Sequence, residues 1–178
     1  MDMDMDMKEK LVDESRTIMT ELIMPNDANP LGNLMGGNLM RWMDIAGGIC
    51  AGKHCESHVV TASVDHVSFT APIKVGDVIQ LTAVVTRAFN TSVEVYMEVS
   101  VTDITGNNTK QSNHAYMTFV ALDRDTQRPR KVPPLNAVTT EQKKLFESAL
   151  RRREVRLILS GRLKPEDATD LKTYFSEI

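Results

Sequence analysis

One long apolar segment limits the folds open to this chain more than any other feature. After the pair Gly36-Gly37, the sequence predicts a helix that runs to about Lys53. Apolar residues cover most of the circumference of that helix: Leu39, Met40, Trp42, Met43, Ile45, Ala46, Ile49 and Cys50. A helix that is apolar on nearly every side is buried rather than lying on a surface. The rest of the chain must therefore supply a layer that covers it.

The sequence after the helix supplies this layer as β-structure. Four segments rich in Val, Thr, Ile and Tyr follow at residues 58–70, 77–89, 92–104 and 109–122. Their separators are short, so we expect consecutive segments to pair antiparallel. A further segment at 15–24 predicts a strand before the helix. The expected fold class is α+β, a five-stranded antiparallel sheet wrapped around one long helix. Exposed edge strands favour pairing with a second copy of the chain.

The two ends of the chain are expected to lie outside this domain. The chain starts with a Met-Asp repeat, which predicts a low-complexity tail and lacks the apolar region of a secretory signal. A charged segment at 140–159 predicts a helix, and Pro165 with the two acids after it predicts the start of a short last helix. We therefore divide the chain into a tail at 1–12, a domain at 13–135 and a helical extension at 136–178.

Composition argues against several classes of protein. The net charge is −3, split into +2 over residues 139–178 and −5 over the rest, without the concentrated basic face of a nucleic-acid binder. No apolar run approaches the roughly 18 residues of a membrane span. Cys50 and Cys55 do not have the spacing of a zinc site and are expected to be reduced thiols. We expect a cytoplasmic protein without metal, nucleic acid or membrane partner.

Asp44 is the one acidic residue inside the apolar helix, between Met43 and Ile45. A carboxylate taken out of water without partners costs several kcal/mol. Asp44 must therefore reach solvent, be paired, or take part in chemistry. A surface pair with Arg41 is worth a few tenths of a kcal/mol, and the apolar surround leaves little polar face for it. The spacing alone supports the surface pair and a functional, half-buried carboxylate about equally.

Two glycine pairs, one at the start of this helix and one inside it, have structural or functional interpretations. Gly36-Gly37 suits a permissive helix entry, yet first-turn N–H groups lack intrahelical acceptors and can stabilise an oxyanion. Asn33, just before them, could orient a water or add a donor. Gly47-Gly48 costs the helix about 1 kcal/mol per residue relative to Ala, which predicts the close approach of another backbone.

Two polar segments in the second half of the domain are weaker signals. Asn90, Thr91 and Ser92 lie between two predicted strands, where a hairpin turn is the simpler interpretation. Their N–H and hydroxyl groups could also hold a phosphate. Arg130 lies in a loop and has the same two interpretations: a solvated cation or a phosphate contact.

Together these segments resemble the hotdog-fold acyl-CoA thioesterases, in their YciA-like, broad-specificity branch. The resemblance covers about residues 15–134. It rests on four stretches in the same order: MPNDANPLGNLMGGNLMRWMDIAGGICAGKHC, VVTASVDHVSFTAPIKVGDVI, NTSVEVYMEV and MTFVALD. One departure is Met35, where relatives often have His or Phe, so acyl preference is expected to differ.

The resemblance implies both an activity and an assembly. The activity is hydrolysis of acyl-CoA to a fatty acid and CoA, with Asp44 as general base and with no cofactor apart from the CoA of the substrate. The assembly is a homodimer, commonly built into a homohexamer as a trimer of dimers. It further implies that Asn33 of the neighbouring protomer assists Asp44, and that the amides of Gly36 and Gly37 stabilise the oxyanion.

The resemblance also implies where CoA lies. It places Thr61 beside the pantetheine arm, and Asn90, Thr91, Ser92 and Arg130 at the nucleotide phosphates. Hotdog hydratases carry a His five residues after the Asp, where this chain has Ile49. A non-catalytic acyl-CoA sensor with a hotdog domain is the remaining alternative, although such regulators resemble fusions with a DNA-binding segment, for which this N-terminus is too short and polar.

Overall fold

The computed structural model describes residues 7–65, 67 and 71–176. The Met-Asp repeat and part of the predicted strand at 58–70 therefore lie outside the described residues. The described chain divides into two compact units after Asn136. The three-part division drawn from the sequence remains a prediction.

The first unit confirms the predicted α+β fold, with one long helix and a five-stranded antiparallel sheet. Its elements are β1 (Lys10–Leu11), α1 (Val12–Ser15), β2 (Thr17–Leu22), α2 (Gly36–Cys55), β3 (His58–Asp65), β4 (Val78–Ala88), β5 (Ser92–Thr102), β6 (Lys110–Leu122) and β7 (Leu135–Asn136). A single 3-10 turn, Pro25–Asp27, lies between β2 and α2. Turn-forming Pro, Asn and Asp in that loop account for the irregular backbone before the helix.

The sheet has the strand order β2-β4-β5-β6-β3. The predicted hairpins β4–β5 and β5–β6 are confirmed. The predicted pairing of β3 with β4 is wrong: β3 pairs antiparallel with β6, and β4 pairs with β2. The connection between β3 and β4, residues 66–77, is too long for a tight hairpin turn, so the two strands are free to pair with other partners. The helix-flanking strands β2 and β3 thus occupy the two edges.

Helix α2 is buried on one side only. Its inner side contains Leu39, Trp42, Met43, Ala46 and Cys50, which pack against the sheet. The prediction that a helix apolar on nearly every side is buried rather than on the surface is wrong for the single chain, because Met40 is 40%, Ile45 38% and Ile49 46% exposed. Val60 and Val64 of the edge strand β3 are also exposed apolar residues. A contiguous apolar surface of this kind is typical of a protein–protein interface.

Two details of the first unit differ from expectation. The group closest to Gly47 is the ring of Phe119 on β6, a side chain rather than the predicted backbone. The last residues of the expected tail pack on the domain, since Lys10 and Leu11 pair in parallel with Leu135 and Asn136. Val12 is 3% exposed. An extended segment beside an unpaired strand gains backbone hydrogen bonds by pairing with that strand.

The second unit consists of α3 (Thr140–Leu159), a 3-10 turn at Pro165–Asp167 and α4 (Thr169–Ser176). Thr139 caps α3 by accepting a hydrogen bond from the Gln142 N–H, as its residue type predicts. The carboxylate of Glu154 accepts hydrogen bonds from the N–H groups of Asp170 and Leu171 in the first turn of α4. An anion at a helix N-terminus satisfies donors that have no intrahelical acceptor.

Candidate active site

Asp44 and Thr61 form the centre of the candidate site. Asp44 lies on α2, and Thr61 lies on β3 at a β-bulge that shifts the register between Thr61 and Ser63. The Thr61 Oγ1 hydroxyl donates a hydrogen bond to Asp44 Oδ1. This bond occupies one carboxylate oxygen and leaves Oδ2 to accept a proton. It also fixes the carboxylate in one orientation, as a general base requires.

The predicted half-buried setting of Asp44 is not found in the single chain, where Asp44 is exposed. The alternative of a surface ion pair with Arg41 also lacks support, since no ion pair between them is found among the described residues. The apolar residues around Asp44 in the sequence divide between the core, such as Met43, and the exposed side, such as Ile45. The carboxylate therefore stands at the rim of the apolar surface of α2.

A cleft of about 240 Å³ opens beside the carboxylate. Its lining residues come from α2, β3 and β6: Met40, Arg41, Met43, Asp44, Val64 and Met117. Apart from Asp44 and Arg41 the walls are apolar, with three methionines. An apolar cleft with a single fixed polar group is the usual form of a small-molecule site.

The start of α2 presents free backbone donors, as predicted. Gly36 and Gly37 are its first two residues, and the Met35 carbonyl accepts the N–H groups of Asn38 and Leu39. Within the described part of the chain, the N–H groups of Gly36 and Gly37 donate to no backbone carbonyl outside the helix. A Cβ added at Gly37 would meet nothing within 4 Å. The space beside Gly37 is therefore open to an external carbonyl oxygen.

The amides and the carboxylate of one chain are far apart. Asp44 follows Gly36 by eight residues, which is about 12 Å along a helix axis at 1.5 Å per residue. A reacting carbonyl must lie about 3 Å from both its base-activated nucleophile and its oxyanion donors. Gly36, Gly37 and Asp44 of the same chain cannot act on the same carbonyl group.

Asn33 lies in a network with Asn29, a residue that the sequence analysis did not select. Asn29 N–H donates to the Asn33 carbonyl over 2.8 Å, and Asn29 Oδ1 accepts the N–H groups of Leu31 and Asn33. Backbone pairing with Lys74 holds Asn33 from the other side. The dipeptide Asn29-Pro30 was the sequence signal for this residue. It is typical of a sharp turn, in which the Asn side chain accepts a hydrogen bond from the backbone two residues ahead.

The structure brings Asn90, Thr91 and Arg130 together. Val132 N–H donates to the Asn90 carbonyl over 3.1 Å, and Arg130 N–H donates to the Ala121 carbonyl over 3.0 Å. The Ala121 N–H in turn donates to the Thr91 carbonyl. Ser92 starts β5 beside them, with its carbonyl accepting the Phe89 N–H over 2.8 Å. This cluster lies at the far end of β4 from the start of α2, about 30 Å along the eleven residues of that strand.

Cysteine and histidine side chains near the end of α2 belong to the core. Cys50 and Cys55 are free and buried, and burial raises the pKa of Cys50 to about 11 and that of Cys55 to about 12. Thiols of this kind are unreactive near neutral pH. Among the described residues, no group of three His, Cys, Asp or Glu side chains could hold a metal ion. The expectation that the protein needs no metal remains a prediction.

A membrane span is also not found, since none of the described helices is both long and apolar enough to form one.

Comparison with known proteins identifies the family. Residues 31–106 match the sequence profile of the thioesterase superfamily. The chain is 34% identical over 139 residues to the uncharacterized acyl-CoA thioester hydrolase YkhA of Bacillus subtilis, covering 78% of this chain and 80% of the relative. The chain belongs to the hotdog acyl-CoA thioesterase family.

Solved structures support this membership in the hotdog thioesterase family. An apo-hexameric acyl-CoA thioesterase has a TM-score of 0.82 and 36% identity, with 86% of this chain and 97% of that chain covered. An acyl-CoA hydrolase from Staphylococcus aureus, in complex with butyryl coenzyme A and coenzyme A, has a TM-score of 0.79 and 35% identity, with coverage of 86% and 95%. These relatives place the chain among thioester hydrolases.

Two further facts about the thioesterase relatives bear on the site. The chain spans only about a quarter of the length, 24%, of the acyl-coenzyme A thioesterase 11 of mouse, to which it is 34% identical. The S. aureus hydrolase has also been solved as three variants, in which one asparagine, one aspartate or one threonine is replaced by alanine.

Proposed function

We propose that this chain hydrolyses acyl-CoA to a carboxylic acid and CoA, with Asp44 as the general base. The observation that carries the proposal is the carboxylate of Asp44, which is held by Thr61 at the rim of an apolar cleft. Family membership supplies the class of substrate, and the geometry supplies a group that can take a proton from water beside a site for an acyl chain.

The chemistry follows from these positions. Asp44 Oδ2 accepts a proton from a water as the water oxygen attacks the thioester carbon, forming a C–O bond. The carbonyl oxygen becomes an oxyanion, which backbone N–H donors stabilise. Collapse of the tetrahedral intermediate breaks the C–S bond, and the CoA thiolate leaves and takes up the proton held by Asp44, which restores the carboxylate. Thr61 keeps the carboxylate in place throughout, because its hydroxyl bonds Oδ1.

A site complete with oxyanion donors requires two chains. The first-turn amides at Gly36 lie about 12 Å from Asp44 in the same helix, so the donors facing Asp44 come from a second protomer. The exposed apolar residues of α2 and β3, including Ile45, Ile49 and Val60, offer a surface for that protomer. We therefore propose a homodimer with two composite sites, which can assemble further into a homohexamer; one structural relative is hexameric.

The assisting asparagine is better assigned to Asn29 than to Asn33. In the S. aureus hydrolase the substituted asparagine, aspartate and threonine are separated by 15 and then 17 residues. Asn29, Asp44 and Thr61 have the same separations, whereas Asn33 precedes Asp44 by eleven residues. We propose that Asn29 of the partner chain orients the attacking water or the carbonyl, and that Asn33 supports the turn that holds Asn29.

The remaining contacts concern CoA itself. We propose that the apolar cleft receives the acyl carbons next to the thioester, and that Asn90, Thr91, Ser92 and Arg130 hold nucleotide phosphates. The backbone contacts that gather these residues into one cluster support the second assignment. No metal, further cofactor or nucleic acid enters this proposal. The cytoplasmic location expected from the sequence remains a prediction.

Release of free CoA thiol tests the proposal. The intact protein is incubated with acyl-CoAs from two to sixteen carbons, alongside Asp44→Asn and the control Asp13→Asn, which changes an exposed carboxylate on α1. We expect turnover by the intact protein, a loss of at least a hundredfold in Asp44→Asn, and no more than a twofold change in the control. Tight acyl-CoA binding without turnover in any of the three proteins would show instead an acyl-CoA-binding sensor.

A further inference from the structure

Gly47 has almost no room for a side chain. It is buried on the inner side of α2, and an added Cβ would lie 2.8 Å from Phe119 Cζ, 3.0 Å from Phe119 Cε2 and 3.2 Å from Met97 Cε. Ordinary carbon contacts begin near 3.4 Å. Gly48, the next residue, differs: a Cβ there would lie 3.8 Å from Phe119 Cε1, which is a normal distance.

The contact between Gly47 and Phe119 lies beside the hydrogen bond between Asp44 and Thr61. Phe119 on β6 and Thr61 on β3 are register partners, so their side chains project from the same face about 5 Å apart. Asp44 and Gly47 are three residues apart on α2, and side chains at this spacing are neighbours about 5–6 Å apart. The same helix and the same strand pair therefore meet at both contacts.

We propose that Gly47 and Phe119 are positioning residues. Their contact sets the distance between α2 and the sheet, and at that distance the Thr61 hydroxyl can hydrogen-bond the Asp44 carboxylate. This role rests on the proposed function of Asp44. The Phe119 ring is 1% exposed, with Met97 beside it, so it has little freedom to swing aside. An alanine at Gly47 forces a separation of about half an ångström, and a core this densely packed transmits such a displacement.

The distance matters because hydrogen bonds weaken steeply outside a narrow range of length and angle. A helix that stands away from the sheet at Gly47 carries Asp44 away from the Thr61 hydroxyl one turn earlier. The carboxylate then rotates freely and loses its orientation toward water. Substrate binding is affected less, because the cleft walls contributed by Met40 on α2 and Val64 on β3 are exposed and lie outside the packed contact at Gly47.

The first experiment compares Gly47→Ala with Gly48→Ala. The two substitutions make the same chemical change in the same helix, and both add helix propensity. We expect kcat for a short-chain acyl-CoA to fall at least tenfold in Gly47→Ala, with KM changed less than threefold. In Gly48→Ala both constants should stay within twofold. Adding Phe119→Leu to Gly47→Ala removes the tip of the ring and should restore at least a third of the lost kcat.

A double-mutant cycle separates positioning from a general loss of stability. In the background of Thr61→Ala the hydrogen bond is already gone, so Gly47→Ala should lower kcat by less than twofold there. If Gly47→Ala does not fold, the same cycle is run with Phe119→Leu, which should lower kcat in the native background and leave Thr61→Ala nearly unchanged.

Three results would overturn the positioning role. They are equal effects of Gly47→Ala and Gly48→Ala, an undiminished effect in the Thr61→Ala background, and no gain of kcat from Phe119→Leu. Each leaves the proposed hydrolysis intact as long as the native protein releases CoA. A native protein that releases no CoA from any acyl-CoA contradicts the proposed function, and the positioning role is lost with it.

Discussion

The hydroxyl of Thr61 on the edge strand β3 donates its hydrogen bond to the carboxylate of Asp44 on the central helix, across 17 residues of sequence. The bond links the two elements that border the apolar cleft. It converts an exposed carboxylate, free to rotate in solvent, into one with a fixed orientation. The catalytic proposal therefore depends on a contact between two secondary-structure elements.

Removing this hydroxyl should reduce turnover without removing the base. Thr61→Val keeps the shape of the side chain and deletes the donor. We expect kcat to fall at least about tenfold, which is less than the roughly 100- to 10,000-fold contribution of a general base, because Asp44 itself is retained. Thr61→Ser keeps the donor and should stay within about fivefold of the native kcat. Steady-state kinetics with one short-chain acyl-CoA measures both variants. Equal kcat values for the two variants would contradict the role of the hydroxyl.

Asn29 and Asn33 are distinguished by their side-chain amides. Asn29→Asp keeps the Oδ1 acceptor that bonds the N–H groups of Leu31 and Asn33, so the turn is preserved while the NH₂ donor is lost. We expect kcat to fall at least tenfold in Asn29→Asp and less than threefold in Asn33→Ala. A larger loss of kcat in Asn33→Ala than in Asn29→Asp would assign the assisting role to Asn33, as expected from the sequence. Thermal unfolding of both variants provides the check on folding.

Met117 should limit the acyl chain. The cleft is small, with a volume of about 240 Å³, and Met117 forms part of its buried wall. We therefore expect the native protein to favour short acyl chains over long ones. Met117→Ala enlarges the cleft and should move the optimum of kcat/KM to chains at least two carbons longer.

The control for this substitution is Met97→Ala. Met97 is equally buried, on β5, but it does not line the cleft. Both substitutions should destabilise the fold by about 2–5 kcal/mol, the range for a buried methionine. Only Met117→Ala should change the chain-length profile. A parallel shift in both variants would mean that loosening of the core, rather than the size of the cleft, sets the preference.

His54 should make folding stability depend on pH. Burial lowers the pKa of His54 below its usual value, and the ring bonds the Pro133 carbonyl through Nε2 over 2.9 Å. The unfolded chain then takes up a proton at a higher pH than the folded chain does. Stability is therefore fully present above the ordinary histidine value of 6.5 and falls as pH drops below it.

Unfolding midpoints measured from pH 8 to pH 5 test this dependence. His54→Gln keeps a donor for the Pro133 carbonyl and removes the titrating group, so its curve should be flatter than the native one between pH 6.5 and pH 5. Identical slopes for the two proteins would assign the dependence to other groups. The loop that carries Arg130, a proposed contact of CoA, lies just before Pro133. KM for acyl-CoA is therefore a second quantity to measure over the same pH range.

The sequence alone was enough to predict helix α2 and the five strands of the main sheet, although not the short elements β1, α1 and β7. The apolar period of α2, the β-rich runs and the turn residues between β4, β5 and β6 are local signals, and each led to the correct element within a few residues. The pairing of β3 was not predictable in this way, because a strand that pairs with a distant partner has the same local sequence pattern as one that forms a hairpin with the next strand. Its partner is set by which strand covers the helix, a property of the whole fold.

The candidate site divides in the same way. The sequence by itself singled out Asp44, Gly36 and Gly37, since a carboxylate in an apolar helix and a glycine pair at its start are unusual wherever they occur. Only the tertiary structure showed that Asp44 is exposed in one chain, that Thr61 holds it, and that Phe119 fills the space left by Gly47. Those facts depend on distances between residues far apart in the chain, and packing of the helix against the sheet fixes these distances to fractions of an ångström.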